Sequence, residues 1–295
     1  MFKKILVATD LSPASEYLIK STVKLQSLGT REAVLVYCMN IRDVGSLADT
    51  LLKLIQPALQ KQEQILINNG FKTEIDFRLG IPAVEITRTA TEKDCSMIVI
   101  GSHGYSLTKE ILLGGVATAV IHSATKPILL VRMKFHKDAK GIVCEEPICD
   151  PLYHVLYPTD FSDNAEQAFL YLENLAQLGA KKITLIHVQD QTIGEYLKDR
   201  LDEFNKIDLS RLERLQERLK HISKADIKIK ITYGSVKQEI LNYIKNQGIS
   251  FVVMGSKGRG RVSEFFLGSV SYDIARNSPV AVLLVPPGTI TSNSQ

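Results

Sequence analysis

Apolar residues along this chain come in short dense runs, separated by longer stretches in which they recur at helical spacing. Residues 4–8 form a run rich in β-branched side chains, which predicts a buried strand. Ser12 and Pro13 then supply an N-cap and a first-turn proline. Ala14, Tyr17, Leu18, Ser21, Leu25 and Leu28 recur on one helical face until Gly29 stops the helix. A second strand is predicted over 33–39. A long helix follows over 46–69, with a kink or break at Pro57 and a stop at Gly70. The pattern continues with a strand over 72–79, a helix from Pro82 to about residue 93, a strand over 97–100, a helix over 115–123 and a fifth strand over 128–132. From Tyr153 the same order returns, and Leu212, Leu215, Leu219 and Ile222 mark one apolar stripe along the second long helix.

The second half is a copy of the first. Thr9-Asp10-Leu11-Ser12 recurs as Thr159-Asp160-Phe161-Ser162, and Gly80 with Glu85-Ile86 recurs as Gly234 with Glu239-Ile240. Gly101-Ser102-His103-Gly104 recurs as Gly255-Ser256-Lys257-Gly258, and Leu129-Leu130-Val131 as Leu283-Leu284-Val285. Conserved order and spacing across a whole half mark a duplication. Between the copies, residues 134–150 mix Lys, Asp, Glu, Gly and Pro without periodicity and read as a linker. The expected organisation is a domain over 1–134, a linker over 135–151 and a domain over 152–288. Strands alternating with helices through short connections predict an α/β fold: two tandem doubly wound parallel sheets covered by helices on both faces.

Composition narrows the partners. The chain has 295 residues, 45% hydrophobic and 23% charged, with a net charge of +4. That is ordinary for two globular domains and gives no basic face for nucleic acid. No apolar run approaches the roughly 18 residues needed to cross a bilayer. Met1-Phe2-Lys3-Lys4 is followed by too short an apolar run for a signal peptide and reads as the approach to a first strand, so a cytoplasmic location is expected. Of four cysteines, Cys38 and Cys95 sit in or beside strands as small core residues. Cys144 and Cys149 lie in the linker without the further ligands a zinc site needs.

The chemistry concentrates after the fourth strand of each copy. Phe251-Val252-Val253-Met254 reads as a buried strand. It feeds Gly255-Ser256-Lys257-Gly258 and, nine residues later, Gly268-Ser269-Val270-Ser271 at the start of a helix. Glycines let backbone N–H groups approach phosphate oxygens, and the helix N-terminus adds uncompensated donors and a favourable dipole. The hydroxyls of Ser269 and Ser271 are expected to donate to the same oxygens. In sheets of this kind ligands bind beyond the carboxyl ends of the strands, where the strand order reverses. If the first and fourth strands are neighbours, Asp160 and the glycine loop face one crevice.

Gly255, Gly258, Gly268 and Ser269 spell Gly-x2-Gly-x9-Gly-Ser, and Pro158 to Ser162 reads Pro-Thr-Asp-Phe-Ser. With these motifs the whole chain resembles a tandem universal stress protein. The resemblance implies an adenine nucleotide α-hydrolase-like fold with five parallel strands in the order 3-2-1-4-5. It also implies ATP or AMP as ligand, with Mg2+ accompanying ATP. Asp160, with Pro158 and Thr159, should meet the nucleoside, and Val188 should meet adenine through its backbone. Gly255, Gly258, Gly268, Ser269 and Ser271 should surround the phosphates, with Met254, Ser256 and Val270 as further ligand-binding positions and Lys257, Arg259 and Arg261 close enough to help neutralise the charge. The corresponding first-half set is Ala8, Thr9, Asp10, Cys38, Ile100, Gly101, His103, Gly104, Gly114, Gly115, Val116 and Ala117. Here Gly115 and Ala117 replace Ser269 and Ser271, so the first site is expected to be weaker, to prefer AMP or to be vestigial. Pairing of the two fifth strands would make an intramolecular pseudo-dimer that can dimerise again.

The leading function is an adenine-nucleotide-binding stress-response sensor or regulator rather than a catalyst. A slow ATP-hydrolysing enzyme of the same fold and a non-binding assembly module are the alternatives. The His-x-Gly-His signature of adenylyl-transferring synthetases and the Ser-Gly-Gly loop of ATP pyrophosphatases are both missing after the first strands, and Asp160 is the one evident acid near the site.

Overall fold

The computed structural model describes residues 1–40, 48–102, 113–132, 134–138, 141–145, 150–190, 201–258 and 267–288. The chain divides into two compact units, Met1–Ile148 and Cys149–Gln295.

In the first unit, β1 (Lys4–Thr9) leads into α1 (Pro13–Thr22) and a 3-10 helix (Val23–Leu28), followed by β2 (Glu32–Met39), α2 (Ala48–Asn68), β3 (Lys72–Leu79), α3 (Pro82–Glu92), β4 (Met97–Gly101), α4 (Gly115–Ser123) and β5 (Ile128–Val131). The strands are parallel in the order β3-β2-β1-β4-β5. Their apolar runs form the core: Ile5, Leu6, Val7, Val34, Leu35, Ile98, Val99 and Leu129 are all buried. Gly29 ends the 3-10 helix at φ 85°, a left-handed cap that a residue without Cβ adopts at no steric cost. Pro57 does not break α2, which runs unbroken through it. Lys53 and Pro57 are both exposed, so water can serve the carbonyl that loses its helical donor.

The segment read as a linker carries structure. β6 (Lys134–Asp138) pairs antiparallel with β7 (Gly141–Glu145), Lys134 opposite Glu145 and Asp138 opposite Gly141. Two strands of five residues are too short for periodicity to reveal, and Gly141 and the charges disguise them. Cys144 lies on β7, and Cys149 is outside the described residues.

The second unit repeats the plan with β8 (His154–Pro158), α5 (Asp163–Gln177), β9 (Lys182–Asp190), α6 (Leu201–Ile222), β10 (Asp226–Gly234), α7 (Val236–Asn246), β11 (Phe251–Gly255), α8 (Ser269–Asn277) and β12 (Ala281–Val285). Its parallel order is β10-β9-β8-β11-β12. Both units therefore have the 3-2-1-4-5 order. Leu212, Leu215 and Leu219 are buried, and Ile222 at the helix end is half-buried.

The first strand of each unit sits where the strand order reverses. β1 keeps its register with β2 as far as Thr9 opposite Tyr37, but its ladder with β4 stops at Val7 opposite Val99. β8 stays with β9 as far as Pro158 opposite Ile186 and leaves β11 after Leu156 opposite Val252. Each sheet thus splits between its first and fourth strands at the carboxyl end, which opens the crevice.

At the opposite end of β8, His154 is 2% exposed. Its Nδ1 lies 3.1 Å from the Gln247 carbonyl and its Nε2 2.9 Å from Thr184 Oγ1. A carbonyl only accepts, so Nδ1 carries the hydrogen and Nε2 accepts from the threonine. Burial, helped by Lys182, holds this imidazole below the usual histidine range. The unfolded chain then takes up a proton more readily than the folded one. The stabilisation is complete above about pH 6.5 and is lost as pH falls through the lower folded value. The urea midpoint of the second unit is expected to fall between about pH 7 and about pH 5. In His154→Gln that dependence should flatten; an unchanged pH profile in the variant would remove His154 as its source.

Candidate functional site

The turn that carries Thr9-Asp10 and Thr159-Asp160 has the same construction in both units. Leu11 and Phe161 hold φ values of 60° and 59°, a left-handed conformation that costs a side chain about 1–2 kcal/mol. Three side chains hold it. Thr9 Oγ1 accepts from the Leu11 N–H at 3.1 Å, and Thr159 Oγ1 from Phe161 at 3.0 Å. Asp10 and Asp160 each accept through Oδ1 from the serine two residues on, both at 3.0 Å. Ser12 and Ser162 then cap α1 and α5, accepting from the N–H groups of Ser15 and Ala165. The turn delivers a carboxylate to the mouth of the split sheet.

The glycine segments are also built alike. Ser102 and Ser256 donate their N–H to the carbonyls of Val131 and Val285, each at 2.9 Å. Gly114 and Gly268 donate to the carbonyls of Ser102 and Ser256 at 2.8 Å. This ties the returning chain to the strand end, so that α4 and α8 start beside the crevice. Gly114 and Gly268 are N-caps without a side-chain hydrogen bond, which leaves the first-turn N–H groups uncapped by any side chain.

In the second unit Pro158, Thr159, Val188, Met254, Ser256 and Ser271 are buried. Gly255 ends β11, and Lys257 and Val270 are partly exposed. A Cβ at Gly258 would lie 2.8 Å from Asp160 Oδ2, so only glycine allows the loop to approach the carboxylate this closely. At Gly268 it would stand 3.4 Å from backbone atoms of Gly258 and Ser256. Arg259 and Arg261 lie outside the described residues. The two serines differ. Ser269 is exposed at the helix start, whereas Ser271 donates its hydroxyl to the Gly255 carbonyl at 2.9 Å. The single hydrogen of Ser271 ties α8 to β11 and does not point free into the crevice, contrary to the expectation from spacing.

Sequence reasoning missed Asn164. Its Oδ1 accepts from the Lys257 N–H at 2.8 Å and its Nδ2 donates to the Val285 carbonyl at 3.0 Å. One buried amide thereby joins α5, the glycine loop and the end of β12. Its one sequence signal is its place two residues after the Ser162 cap. A buried cluster was also missed. His187 Nδ1 donates to the Thr159 carbonyl at 2.8 Å, and its Nε2 lies 3.4 Å from Asp208, which also accepts from Gln189 at 3.0 Å. The Phe161 ring packs on His187 at 4.7 Å, and the Arg211 guanidinium covers Phe161 at 5.2 Å.

In the first unit Ala8, Thr9, Asp10, Cys38, Ile100, Gly101, Gly114, Gly115, Val116 and Ala117 line one cavity of about 330 Å³. Ala14, Ser15 and Leu18 of α1, Val36 of β2, and Pro82 and Ile86 of α3 complete its described wall. The sequence pattern singles out none of these six as a site residue. His103 and Gly104 lie outside the described residues. Burial, with the carboxylates of Glu85 and Asp76, pushes the Cys38 thiol up to about 12, so it is a neutral wall and not a nucleophile.

The profile of the Universal stress protein family matches residues 1–132 and 152–286. The chain belongs to the universal stress protein family, with two tandem domains. A universal stress protein of Methanocaldococcus jannaschii is 32% identical over 157 residues, 45% of this chain and 97% of its own length. One from Bacillus subtilis is 30% identical over 148 residues, 45% of this chain and 100% of its own. The crystal structure of a universal stress protein from Archaeoglobus fulgidus superposes with a TM-score of 0.75 at 23% identity, covering 98% of this chain and 100% of that one, which supports the fold.

Asn164→Ala copies the first unit's Ala14 and strips a partner from both the Lys257 N–H and the Val285 carbonyl. A loss of about 1–3 kcal/mol is expected in urea unfolding of the second unit. Amide exchange at Lys257 should accelerate as well; protection equal to the parent's would contradict the role given to Asn164.

Proposed function

We propose that the second unit binds an adenine nucleotide, ATP or AMP, and that the protein acts as a nucleotide-responsive regulator in the stress response rather than as a catalyst. The observation that carries this reading is the approach of Gly258 to Asp160. A carboxylate and a glycine loop come from the ends of two diverging neighbours, β8 and β11, and meet beside a helix start uncapped by side chains. A carboxylate accepts hydrogen bonds from the hydroxyls of a sugar or from ring N–H groups. Backbone amides and a helix N-terminus suit the phosphates. Val188 and Met254, buried at the same strand ends, offer apolar walls to a base.

The residues present fit such a ligand. Gly255 and Gly258 stand where a Cβ would collide, Lys257 lies in the loop between them, and Ser269 is exposed at the first turn of α8. Asp160 Oδ1 already accepts from the Ser162 N–H, so this carboxylate has a structural part in the turn. That favours holding the nucleotide over turning it over. Mg2+ would travel with the phosphates of ATP.

Equilibrium dialysis with labelled ATP and AMP tests the reading. The parent protein should bind. Gly258→Val, which drives a branched side chain against Asp160, should weaken binding by at least about tenfold. Ser269→Ala removes one exposed donor worth about 0.5–1.5 kcal/mol, a loss of about 2–13-fold. Absence of binding by the parent, or ATP bound equally well by Gly258→Val, would overturn the proposal.

A further inference from the structure

We infer that the cavity of the first unit is a site for a neutral nucleoside, chemically distinct from the nucleotide site of the second. The inference rests on reading both crevices as adenine-binding and specifies which form of the ligand each one takes. Among the described residues that line this cavity of about 330 Å³, Asp10 is the one charged side chain, and it is negative. Both bonds that Asp10 makes among the described residues, from the Ser12 N–H and the Ser15 hydroxyl, fall on Oδ1. Oδ2 remains to accept from ligand hydroxyl or N–H donors.

Several substitutions between the two halves move the first away from phosphate. Gly115 and Ala117 stand where the second has Ser269 and Ser271. In the aligned loop sequence, His103, Tyr105 and Leu107 occupy the places of Lys257, Arg259 and Arg261 and Lys109 that of Ser263, so three permanent cations are lost and one is gained. Ala14 replaces Asn164, which leaves space where the second unit has an amide. Among the described residues that line the cavity, the attraction for an anion is the start of α4. A helix N-terminus contributes about half a positive charge, while a triphosphate carries several negative ones next to the Asp10 carboxylate. Repulsion therefore prevails for ATP, more so in surroundings built from Leu18, Val36 and Ile86. A base flanked by those apolar walls, with its sugar hydroxyls on Asp10, meets no such penalty. The volume is at the small end of the roughly 300–1,000 Å³ typical of small-molecule sites, which suits a nucleoside better than its triphosphate.

The test is calorimetric titration of the full chain. In saturating ATP the parent should still take up one equivalent of adenosine. The Gly258→Val protein should bind adenosine directly, with ATP at that site at least about tenfold weaker. Gly115→Phe should abolish the adenosine site. Gly115 lines the cavity and a Cβ there meets nothing within 4 Å, so the ring is tolerated by the fold, to be confirmed by an unchanged thermal midpoint. ATP bound in the first unit as tightly as adenosine, adenosine binding that survives Gly115→Phe, or no adenosine binding at all would each overturn the inference. If the parent binds adenosine but no ATP, the reading of the second crevice fails while this one stands.

Discussion

Each half of the molecule depends on one strained turn. The first strand reaches the point where the order of the sheet reverses, and the chain must leave it at once for the helix that covers one face. Leu11 and Phe161 make that exit in a left-handed conformation at φ 60° and 59°. A threonine, an aspartate and a serine compensate with three local hydrogen bonds to the backbone. The aspartate that stabilises the turn through Oδ1 is the group that faces the crevice. Under the proposed function, folding and binding share a side chain, and backbone strain sits beside it.

With the backbone of this turn constrained in the same way, the two crevices differ in the side chains around it. The second unit braces its turn with His187 and Asp208 and its glycine loop with Asn164. The first has Gln62, whose Oε1 accepts from the Thr9 hydroxyl at 2.7 Å, and leaves a cavity where the second has an amide. The paired loops dock through the same backbone bonds, from Ser102 and Gly114 in one unit and from Ser256 and Gly268 in the other. The frame is the same in both units while the lining differs, and the proposal of ligands of different charge rests on that difference.

Much of this frame was legible beforehand. Apolar runs, the Ser12-Pro13 cap, the stop at Gly29 and the recurrence of Thr-Asp-x-Ser placed the strands, the helices and the duplication, because each is a local rule. The rest required partners distant in sequence. Pro57 suggested a break, and α2 absorbs it because that face meets water. The β6–β7 hairpin hid in a charged segment too short to show a period. Spacing placed Ser271 beside the phosphates, but the Gly255 carbonyl takes its hydrogen. Asn164 looked like any first-turn residue, since its two partners lie 93 and 121 positions away.

The most direct test is amide NMR of the labelled chain during titration with ATP. If backbone donors of the second unit carry the nucleotide's charge, the largest shifts fall on Gly255 to Gly258 and on Ser269 to Ser271, while Gly115 to Ala117 stay in place at one equivalent. Shifts confined to other surfaces, or an unmoved α8 start under saturating ATP, would contradict that claim.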